Sequence, residues 1–221
     1  MSDASTIRVT ACVVTFNSEG TIEPCLRSAL DQAGVDLDVV VVDNASLDST
    51  RAIVRNVDPN RVALVEQAGN VGFAAAMNLA IERSSAPLVL VLNPDVILHD
   101  DCVATLGAYL RDETRIAAVQ PKLIMGRDGR TGFAPIDSVG VRVDVRRIDA
   151  RDLGHGLADR GQWSLARGIF GPTGACALWR RDALLELKER TGIFDERFFA
   201  YYEDVDLAWR ARRRGYRFAC V

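Results

Sequence analysis

Residues 88–96 read Leu88-Val89-Leu90-Val91-Leu92-Asn93-Pro94-Asp95-Val96, in which five consecutive apolar residues precede a polar tripeptide. Such an apolar run is typical of a strand that is covered on both faces of a parallel sheet. Pro94 lacks an N–H group and restricts the preceding residue to an extended conformation, so we expect the strand to end there. Asp95 would then lie at the carboxyl edge of the sheet, where open α/β sheets bind their ligands.

The tripeptide Asn93-Pro94-Asp95 has two interpretations. Asn, Pro and Asp are common turn residues, so the segment can be a simple strand-ending turn. A carboxylate in this position can also bind magnesium or manganese through its oxygen atoms. The three residues alone do not decide between a turn and a metal site.

Strand and helix patterns alternate through the first half of the chain. Apolar runs rich in β-branched residues are followed by segments with helical spacing, and Ser46 is expected to cap the second helix. This order predicts right-handed parallel crossovers and a doubly wound sheet that is flanked by helices. The expected strands cover residues 7–15, 37–42, 61–66, 88–92 and 116–123, and the expected helices cover residues 20–32, 46–55, 73–83 and about 101–111.

Each of the first four expected strands is followed by polar residues that would meet at one edge of the sheet, which outlines a binding crevice. The first loop, Phe16-Asn17-Ser18-Glu19-Gly20, matches neither the glycine-rich dinucleotide fingerprint nor a P-loop. A metal ion on Asp95 would instead neutralise a diphosphate, and Asp43 could accept a hydrogen bond from a pyrimidine or a ribose hydroxyl group. We therefore predict a nucleoside-diphosphate site from Thr15, Asn17, Asp43, Asn70, Asn93 and Asp95.

The sequence changes character after about residue 124. Asp128-Gly129 is a hairpin-type dipeptide, and the valines from Val139 to Val145 alternate with other residues as in a half-exposed antiparallel strand. Residues 146–167 are charged and contain several glycines, which favours a loop that covers a second substrate. Residues 170–178 are small and apolar, a composition that permits close approach of the backbone to a ligand.

Three acids follow an aromatic cluster in the segment Phe198-Phe199-Ala200-Tyr201-Tyr202-Glu203-Asp204-Val205-Asp206. Acids in the first turn of a helix are ordinary capping residues, because the macrodipole stabilises negative charge there. A sugar ring, on the other hand, needs apolar surfaces and hydrogen-bond acceptors together. A carboxylate in this segment could therefore take a proton from an attacking hydroxyl group.

Length and composition limit the class of protein. A chain of 221 residues with 48% hydrophobic and 26% charged residues fits one globular domain. A formal net charge of −3 gives no support to a nucleic-acid-binding surface. The five cysteines include no C-x-x-C pair, and the first residues lack the basic and apolar regions of a secretory signal. We therefore expect a cytoplasmic protein with reduced thiols.

Six short motifs follow one another along nearly the whole chain. They are Val13-Val14-Thr15-Phe16-Asn17-Ser18, Val41-Val42-Asp43-Asn44-Ala45-Ser46, Asn70-Val71-Gly72-Phe73-Ala74, Leu92-Asn93-Pro94-Asp95, Gly174-Ala175-Cys176-Ala177-Leu178, and Phe194-Asp195-Glu196 continuing to Glu203-Asp204-Val205-Asp206. In these motifs the chain resembles family 2 inverting glycosyltransferases, in particular the rhamnosyltransferase-like branch. The resemblance implies an α/β GT-A fold with a Rossmann-like, mostly parallel central sheet, flanking helices and a small antiparallel region on the acceptor side.

The resemblance also implies roles for four of the candidate residues of the crevice. Thr15, Asn17 and Asp43 would hold the nucleoside of a dTDP-, UDP- or GDP-linked sugar. Asp95 would hold magnesium or manganese and, through the metal, the diphosphate. Asn93 departs from the commoner D-x-D form of the metal motif, so one charge fewer would face the ion.

The implied reaction is a single displacement that inverts the anomeric centre. Asp204 would deprotonate a hydroxyl group of a glycan or lipid-linked acceptor, with Glu203 and Asp206 as alternatives for the base. The sugar, rhamnose in this branch, would enter a cell-surface polysaccharide. The alternative is a non-catalytic nucleotide-sugar-binding module or an inactive fragment. A sugar-phosphate nucleotidyltransferase would need a glycine-rich loop and a basic residue after the first strand, and the sequence has neither there.

The last residues add two expectations. The first concerns an arginine-rich run that consists of Arg210, Arg212, Arg213, Arg214 and Arg217. We expect this run to form either a solvated helix face or a contact for acceptor phosphate or for the anionic inner face of the plasma membrane. Residues 216–221 resemble the start of a strand. We expect one domain over residues 1–221, with a nucleotide-sugar-binding half to about residue 124, an acceptor half beyond it and a truncated C-terminus.

Overall fold

The computed structural model describes residues 6–126, 134–147 and 149–221. The Asp128-Gly129 dipeptide, predicted to form a hairpin turn, lies outside the described residues. Within them, no helix is long and apolar enough to cross a membrane.

Strands and helices alternate through the first half of the chain, as the sequence pattern predicts. The expected cap of the second helix is wrong, because that helix begins at Thr50 and Ser49, not Ser46, occupies its N-cap. The elements of this half are β1 (Ile7–Thr15), α1 (Ile22–Leu30), β2 (Val35–Asp43), α2 (Thr50–Val57), β3 (Val62–Glu66), α3 (Gly72–Arg83), β4 (Leu88–Leu92), α4 (Cys102–Asp112) and β5 (Ile116–Gln120).

The second half is built from shorter elements. The segment 146–167, expected to be a loop, contains two short strands, of four and two residues. Residues 176–179 belong to a strand inside the sheet, and their apolar side chains are at most 3% exposed there. The elements of this half are β6 (Leu123–Ile124), β7 (Ile136–Ser138), β8 (Val141–Asp144), β9 (Asp149–Asp152), β10 (Ala166–Arg167), β11 (Cys176–Arg180), α5 (Arg181–Glu186), a 3-10 helix (Glu196–Phe198), α6 (Glu203–Arg213) and β12 (Arg217–Cys220).

The central sheet has eight strands in the order β10-β12-β5-β11-β4-β1-β2-β3. β1 is parallel to β2 and β4, β2 is parallel to β3, and β12 is parallel to β5. β11 lies antiparallel between β4 and β5, and β10 is antiparallel to β12. The mostly parallel α/β architecture predicted from the alternating pattern is therefore confirmed.

The strand register brings the carboxyl ends of the parallel strands to one edge. Thr15 lies opposite Asp43 at the ends of β1 and β2, and Val13 lies opposite Leu92 at the end of β4. Glu66 ends β3 and also lies opposite Asp43. The loops that carry the predicted polar residues therefore leave the sheet at the same edge.

Helices cover both faces of this sheet because strand side chains alternate between the faces. Val9, Ala11 and Val13 pack in a core cluster with residues of α1, α2 and α4. Cys12 and Val14 pack on the other face with residues of α3, α5 and α6. Each fully buried large apolar side chain contributes about 1.5–3 kcal/mol. The sheet is thus a rigid support for the loops at its edge.

Two small antiparallel pairs lie beside the central sheet. The valine-rich segment predicted to be an antiparallel strand forms β8, which pairs with β9. β6 pairs with β7. The N–H group of Val141 donates to the carbonyl oxygen of Gly171 over 2.8 Å, so the β8–β9 hairpin is joined to the segment that leads into β11.

Candidate functional site

Asp43, at the end of β2, is fully buried, and its carboxylate is bound by the protein itself. Oδ1 accepts hydrogen bonds from the hydroxyl group of Thr15, over 3.0 Å, and from that of Ser46. Oδ2 accepts a hydrogen bond from the N–H of Ser46 over 2.9 Å and lies 3.3 Å from Nε of Arg51. The carboxylate therefore organises the loop after β2.

Asn17 joins the loops after β1 and β2. Its φ of 51° lies in the left-handed region, which Asn tolerates better than most residues. Its N–H donates to Oγ of Ser46 over 2.9 Å, and its Oδ1 accepts a hydrogen bond from the N–H of Leu47 over 2.9 Å. Asn17 is exposed, so this loop presents polar groups at the edge of the sheet.

Asn44 is a further member of this edge that the sequence pattern did not single out. It is 2% exposed, and its Nδ2 donates to the carbonyl oxygen of Gly72 over 3.1 Å. The exposed Asn70 accepts a hydrogen bond from the N–H of Gly72 over 2.9 Å. Both asparagines shape the loop that leads into α3. The feature of the sequence that could have indicated Asn44 is the Asp-Asn pair directly after an apolar strand, because two consecutive polar residues are unusual in a buried segment.

The tripeptide after β4 forms a turn, because the N–H of Val96 donates to the carbonyl oxygen of Asn93 over 3.3 Å. The N–H of Asn93 donates to the carbonyl oxygen of Ala175 over 2.8 Å, which keeps this turn next to the segment before β11. Asp95 is exposed and lines a cavity of about 860 Å³, called here the Asp95 cavity. The turn thus presents the carboxylate to an open space.

Asp95 suits a metal ion that shares its coordination with a ligand. Among the described residues, no three His, Cys, Asp or Glu side chains are grouped so that they could hold a metal by themselves. Magnesium, however, is commonly held by one or two carboxylates together with substrate phosphates and water. An exposed carboxylate at the edge of the sheet fits that kind of site.

A second cavity, called here the Asp204 cavity, has a volume of about 540 Å³. It lies between the start of α6, the segment before β11 and the β8–β9 hairpin. The two cavities have Asn93, Asp137 and Ala175 in common. A molecule in one cavity would therefore lie next to a molecule in the other.

The Asp204 carboxylate is held by backbone N–H groups from two segments. Oδ2 accepts a hydrogen bond from Gly174 over 2.9 Å, and Oδ1 accepts one from Val205 over 2.7 Å. Burial raises the pKa of Asp204 above its usual value; the two hydrogen bonds oppose this rise, and the charge of Asp152 adds to it. A positioned carboxylate with a raised pKa is well suited to accept a proton.

Glu203 lines the same cavity and is only 6% exposed. Burial raises the pKa of this carboxyl group to about 7, and the neighbouring charge of Asp204 adds to the rise. A substantial fraction of Glu203 is therefore protonated at neutral pH. Of the two acids, Asp204 is the one whose carboxylate is held in place by two backbone N–H groups.

Asp206 is engaged elsewhere. Its Oδ2 accepts a hydrogen bond from Nε of Arg210 over 2.8 Å, and it does not line either cavity. Arg210 also donates to the carbonyl oxygens of Leu187 and Ile193. This pair therefore holds α6 against the preceding segment.

The predicted site residues thus occupy three neighbouring places. The first place is formed by the ends of β1 and β2 and the loops after β1, β2 and β3, and it holds Thr15, Asn17, Asp43 and Asn70. The second is the turn between the two cavities, which holds Asn93 and Asp95. The third is the start of α6, which holds Glu203 and Asp204.

The aromatic segment before α6 has an uncommon backbone. Phe199, Tyr201 and Tyr202 have φ values of 61°, 69° and 68°, which cost bulky residues about 1–3 kcal/mol each. The carbonyl oxygen of Phe199 accepts a hydrogen bond from the N–H of Ala74 over 3.1 Å. Tyr201 and Tyr202 line the Asp204 cavity. The surrounding structure therefore imposes this conformation at the place where aromatic surface faces the cavity.

Two further arginines of the basic run bind the chain itself. Nη1 of Arg212 donates to the carbonyl oxygen of Ile169 over 3.2 Å, and its guanidinium lies 5.3 Å from the centroid of the Phe170 ring. Nη1 of Arg214 donates to the carbonyl oxygen of Glu186 over 2.7 Å. These side chains help to fix α6 on the core.

Comparison with known proteins gives a family and several relatives. The profile of Glycosyl transferase family 2 matches residues 10–188. The succinoglycan biosynthesis protein ExoO of Rhizobium meliloti is 38% identical over 93 residues, which are 42% of this chain and 27% of that protein. A poly-beta-1,6-N-acetyl-D-glucosamine synthase of Staphylococcus aureus is 23% identical over 211 residues, which are 95% of this chain and 47% of that protein. The chain therefore spans less than half the length of these two curated relatives.

A solved structure agrees with this assignment. The mannosyltransferase PcManGT of Pyrobaculum calidifontis, in complex with GDP-Man and Mn²⁺, has a TM-score of 0.68 at 25% identity, covering 96% of this chain and 53% of that one. The GT-A fold expected from the motifs is thereby confirmed, whereas the rhamnosyltransferase-like branch stays a prediction. Because the family profile covers most of the sequence and the fold agrees, this chain belongs to glycosyl transferase family 2.

Proposed function

We propose that this chain transfers a sugar from a nucleoside-diphosphate sugar to a hydroxyl group of a glycan or lipid-linked acceptor. The observation that carries the proposal is that the Asp95 and Asp204 cavities share Asn93, Asp137 and Ala175. A donor diphosphate near Asp95 and an acceptor hydroxyl group near Asp204 would therefore meet beside Asn93. Direct transfer needs donor and acceptor to be held in contact.

Asp204 is our candidate for the general base. Its carboxylate would take the proton of the acceptor hydroxyl group while the hydroxyl oxygen attacks the anomeric carbon. The bond from that carbon to the diphosphate oxygen breaks as the new glycosidic bond forms, so the configuration inverts in a single displacement. A positioned general base contributes about 10²–10⁴-fold to the rate.

The loops after β1 and β2 are our candidates for the nucleoside site. Asp43 is fully buried and bonded to Thr15, Ser46 and Arg51, so we assign it a positioning role for these loops. Direct contacts with the nucleoside would come from exposed polar groups such as those of Asn17. This positioning role differs from the prediction made from the sequence, in which Asp43 itself forms a hydrogen bond with the pyrimidine or with a ribose hydroxyl group.

A divalent ion, magnesium or manganese, would be held by Asp95 together with the donor phosphates. When bound, it supplies positive charge that stabilises the departing nucleoside diphosphate. The mannosyltransferase relative was solved with both GDP-Man and Mn²⁺, which supports metal use. Asn93 contributes no charge, so we expect a modest metal affinity in the absence of nucleotide.

The biological setting is proposed from the relatives and from the motifs. The relatives named for succinoglycan biosynthesis and for poly-beta-1,6-N-acetyl-D-glucosamine synthesis support a role in polysaccharide synthesis. The motif resemblance favours rhamnose as the transferred sugar. We propose a cytoplasmic reaction at the inner face of the plasma membrane, where the exposed Arg213 and Arg217 would contact anionic lipid.

A donor screen tests this function. The protein is incubated with dTDP-rhamnose, UDP-sugars or GDP-sugars and manganese, and the released nucleoside diphosphate is measured with and without saccharide acceptors. Acceptor-dependent release that is lost in Asp204→Asn would support glycosyl transfer. Tight nucleotide-sugar binding without any release would favour the alternative, a non-catalytic binding module.

A further inference from the structure

Two buried polar atoms belong to side chains of the Asp204 cavity and lack a partner. Within the described residues, Oγ1 of Thr173 and Oε2 of Glu203 are shielded from solvent and make no hydrogen bond. An unpaired buried polar atom is costly, so two at one cavity call for an explanation. The other atom of this kind, Nε1 of Trp163, belongs to a residue that does not line the cavity.

Both side chains belong to residues that are chain neighbours of the proposed base or of its hydrogen-bond donor. Thr173 precedes Gly174, whose N–H binds Oδ2 of Asp204 over 2.9 Å, and Glu203 precedes Asp204 in α6. Thr173 is itself fixed, because its N–H donates to Oε1 of the buried Gln120 over 2.8 Å. The unpaired groups therefore belong to the same cavity in which an acceptor hydroxyl group would be deprotonated.

The charges of the cavity disfavour an anionic ligand. Asp152 and Asp204 line the Asp204 cavity. Arg151 also lines the cavity, but its guanidinium is paired with the carboxylate of Asp149. Burial raises the pKa of Glu203 to about 7, so near neutral pH its carboxyl group can donate as well as accept a hydrogen bond. These groups would repel a carboxylate or a phosphate but accept neutral hydroxyl groups.

We propose that Thr173 and Glu203 form a subsite for a second hydroxyl group of an uncharged sugar acceptor, beside the hydroxyl group that Asp204 deprotonates. A sugar hydroxyl group donates and accepts at once, which matches a threonine hydroxyl and a neutral carboxyl group. Because both atoms are shielded from solvent in this structure, the Thr173 hydroxyl group and Oε2 of Glu203 must each rotate toward the ligand when it binds; the terminal torsion of a Glu side chain has a broad range, and a threonine χ1 has other staggered positions. This inference rests on the proposed glycosyl transfer and adds that neutral sugars are preferred to uronic acids.

Binding of simple glycosides tests the subsite without a nucleotide donor. Methyl β-glucoside and methyl α-mannoside are titrated into the wild-type protein, each beside its uronic acid counterpart, and Kd is measured by NMR. We expect at least one neutral glycoside to bind. Its uronic acid counterpart should bind at least about tenfold more weakly, because its carboxylate would face like charges.

Substitutions then locate the binding. Thr173→Val keeps the shape and removes the hydroxyl group, and Glu203→Leu removes the carboxyl group; we expect each to weaken neutral glycoside binding about fivefold to tenfold. Thr173→Ser and Glu203→Gln retain a donor and an acceptor and should bind within about twofold of wild type. Thr21→Val, an exposed threonine that lines neither cavity, is the control.

The outcomes separate the subsite from the proposed function. Unchanged binding in Thr173→Val, equal binding of a neutral glycoside and its uronic acid, or no binding of either neutral glycoside would overturn the subsite. Thr173→Val decides the question even where Glu203→Leu does not fold. Nucleotide turnover without glycoside binding would refute the subsite alone. Glycoside binding at these residues without any nucleotide binding would refute glycosyl transfer and leave the sugar subsite standing.

Discussion

The N–H group of Gly174 donates a hydrogen bond to Oδ2 of Asp204 over 2.9 Å, although the two residues are 30 positions apart. Gly174 lies just before β11, which pairs with β4 on one side and with β5 on the other. The carboxylate at the start of α6 is thus held by the central sheet as well as by its own helix. Asp204 and Asn93, which directly follows β4, line the same cavity.

Asp204→Asn should lower the acceptor-dependent rate by about 10²–10⁴-fold, because an amide cannot take the proton of the acceptor hydroxyl group. Nucleotide affinity should change little, since a general base contributes to the transition state rather than to donor binding. The release assay gives the rate, and calorimetry with nucleotide and manganese gives the affinity. A variant with near-normal turnover would exclude Asp204 as the base.

Asp206→Asn makes the same chemical change two residues further along α6. Because Asp206 is paired with Arg210 over 2.8 Å and lines neither cavity, we expect the rate to stay within about threefold of wild type. Loss of this partly buried pair should lower the free energy of unfolding by about 1 kcal/mol, measured by urea denaturation. A large loss of rate with unchanged stability would instead make Asp206 the base.

Asp95→Ala should weaken metal-dependent nucleotide binding and leave the fold intact, because the side chain is exposed at a strand end. Removing a carboxylate ligand of a bound metal should lower affinity by about tenfold or more. Calorimetry with UDP, GDP and dTDP, each with and without manganese, measures the effect. Asp100→Ala, an exposed acid nearby that lines neither cavity, is the matched control. Equal losses in both variants would remove Asp95 from the site.

The raised pKa of Glu203 predicts that stability depends on pH. The group has an ordinary pKa of 4.5 and a pKa of about 7 when folded, so between these values the folded protein binds more protons than the unfolded chain. The contribution of Glu203 to the free energy of unfolding is therefore fully present below the lower pKa. Roughly 1–3 kcal/mol of it is lost as the pH rises toward the upper pKa. The raised pKa of Asp204 acts in the same direction.

Urea denaturation of wild type and of Glu203→Gln at about pH 5 and about pH 8 measures this dependence. The variant should lose less stability between the two values, because glutamine does not titrate. Arg197 lowers the pKa of Asp195 to about 2, so that group remains ionised throughout and does not affect the comparison. The same pH dependence in both proteins would contradict the assignment of the raised pKa to Glu203.

Gly72→Ala should disturb the aromatic segment that borders the Asp204 cavity. Gly72 has a φ of 86°, and a Cβ atom there would lie only 2.6 Å from Cδ2 of Phe199. We expect a loss of about 1–3 kcal/mol in the free energy of unfolding, because both the backbone and the ring would be strained. Gly69→Ala is the control: a Cβ at Gly69 meets nothing within 4 Å, and stability should change by less than about 0.5 kcal/mol. Equal stabilities of the two variants would contradict the predicted clash.

The sequence by itself determined the alternating strands and helices and the edge at which the first four strands end. Both follow from local properties, since the spacing of apolar residues sets the element and right-handed crossovers make successive strands parallel. The polar residues after these strands, such as Asp43 and Asp95, then had to share one edge. The same reasoning could not tell that Asp43 is buried and Asp95 exposed, because burial depends on what the rest of the chain packs against each.

Only the tertiary structure decided how the acids of α6 differ. Glu203, Asp204 and Asp206 look alike in sequence, yet one is buried without a partner for Oε2, one is bound by Gly174, and one is paired with Arg210. The antiparallel insertion of β11 between β4 and β5 was equally invisible, since its composition only indicated small apolar residues. Hydrogen-bond partners and desolvation come from segments that are distant in the chain, and no local pattern contains them.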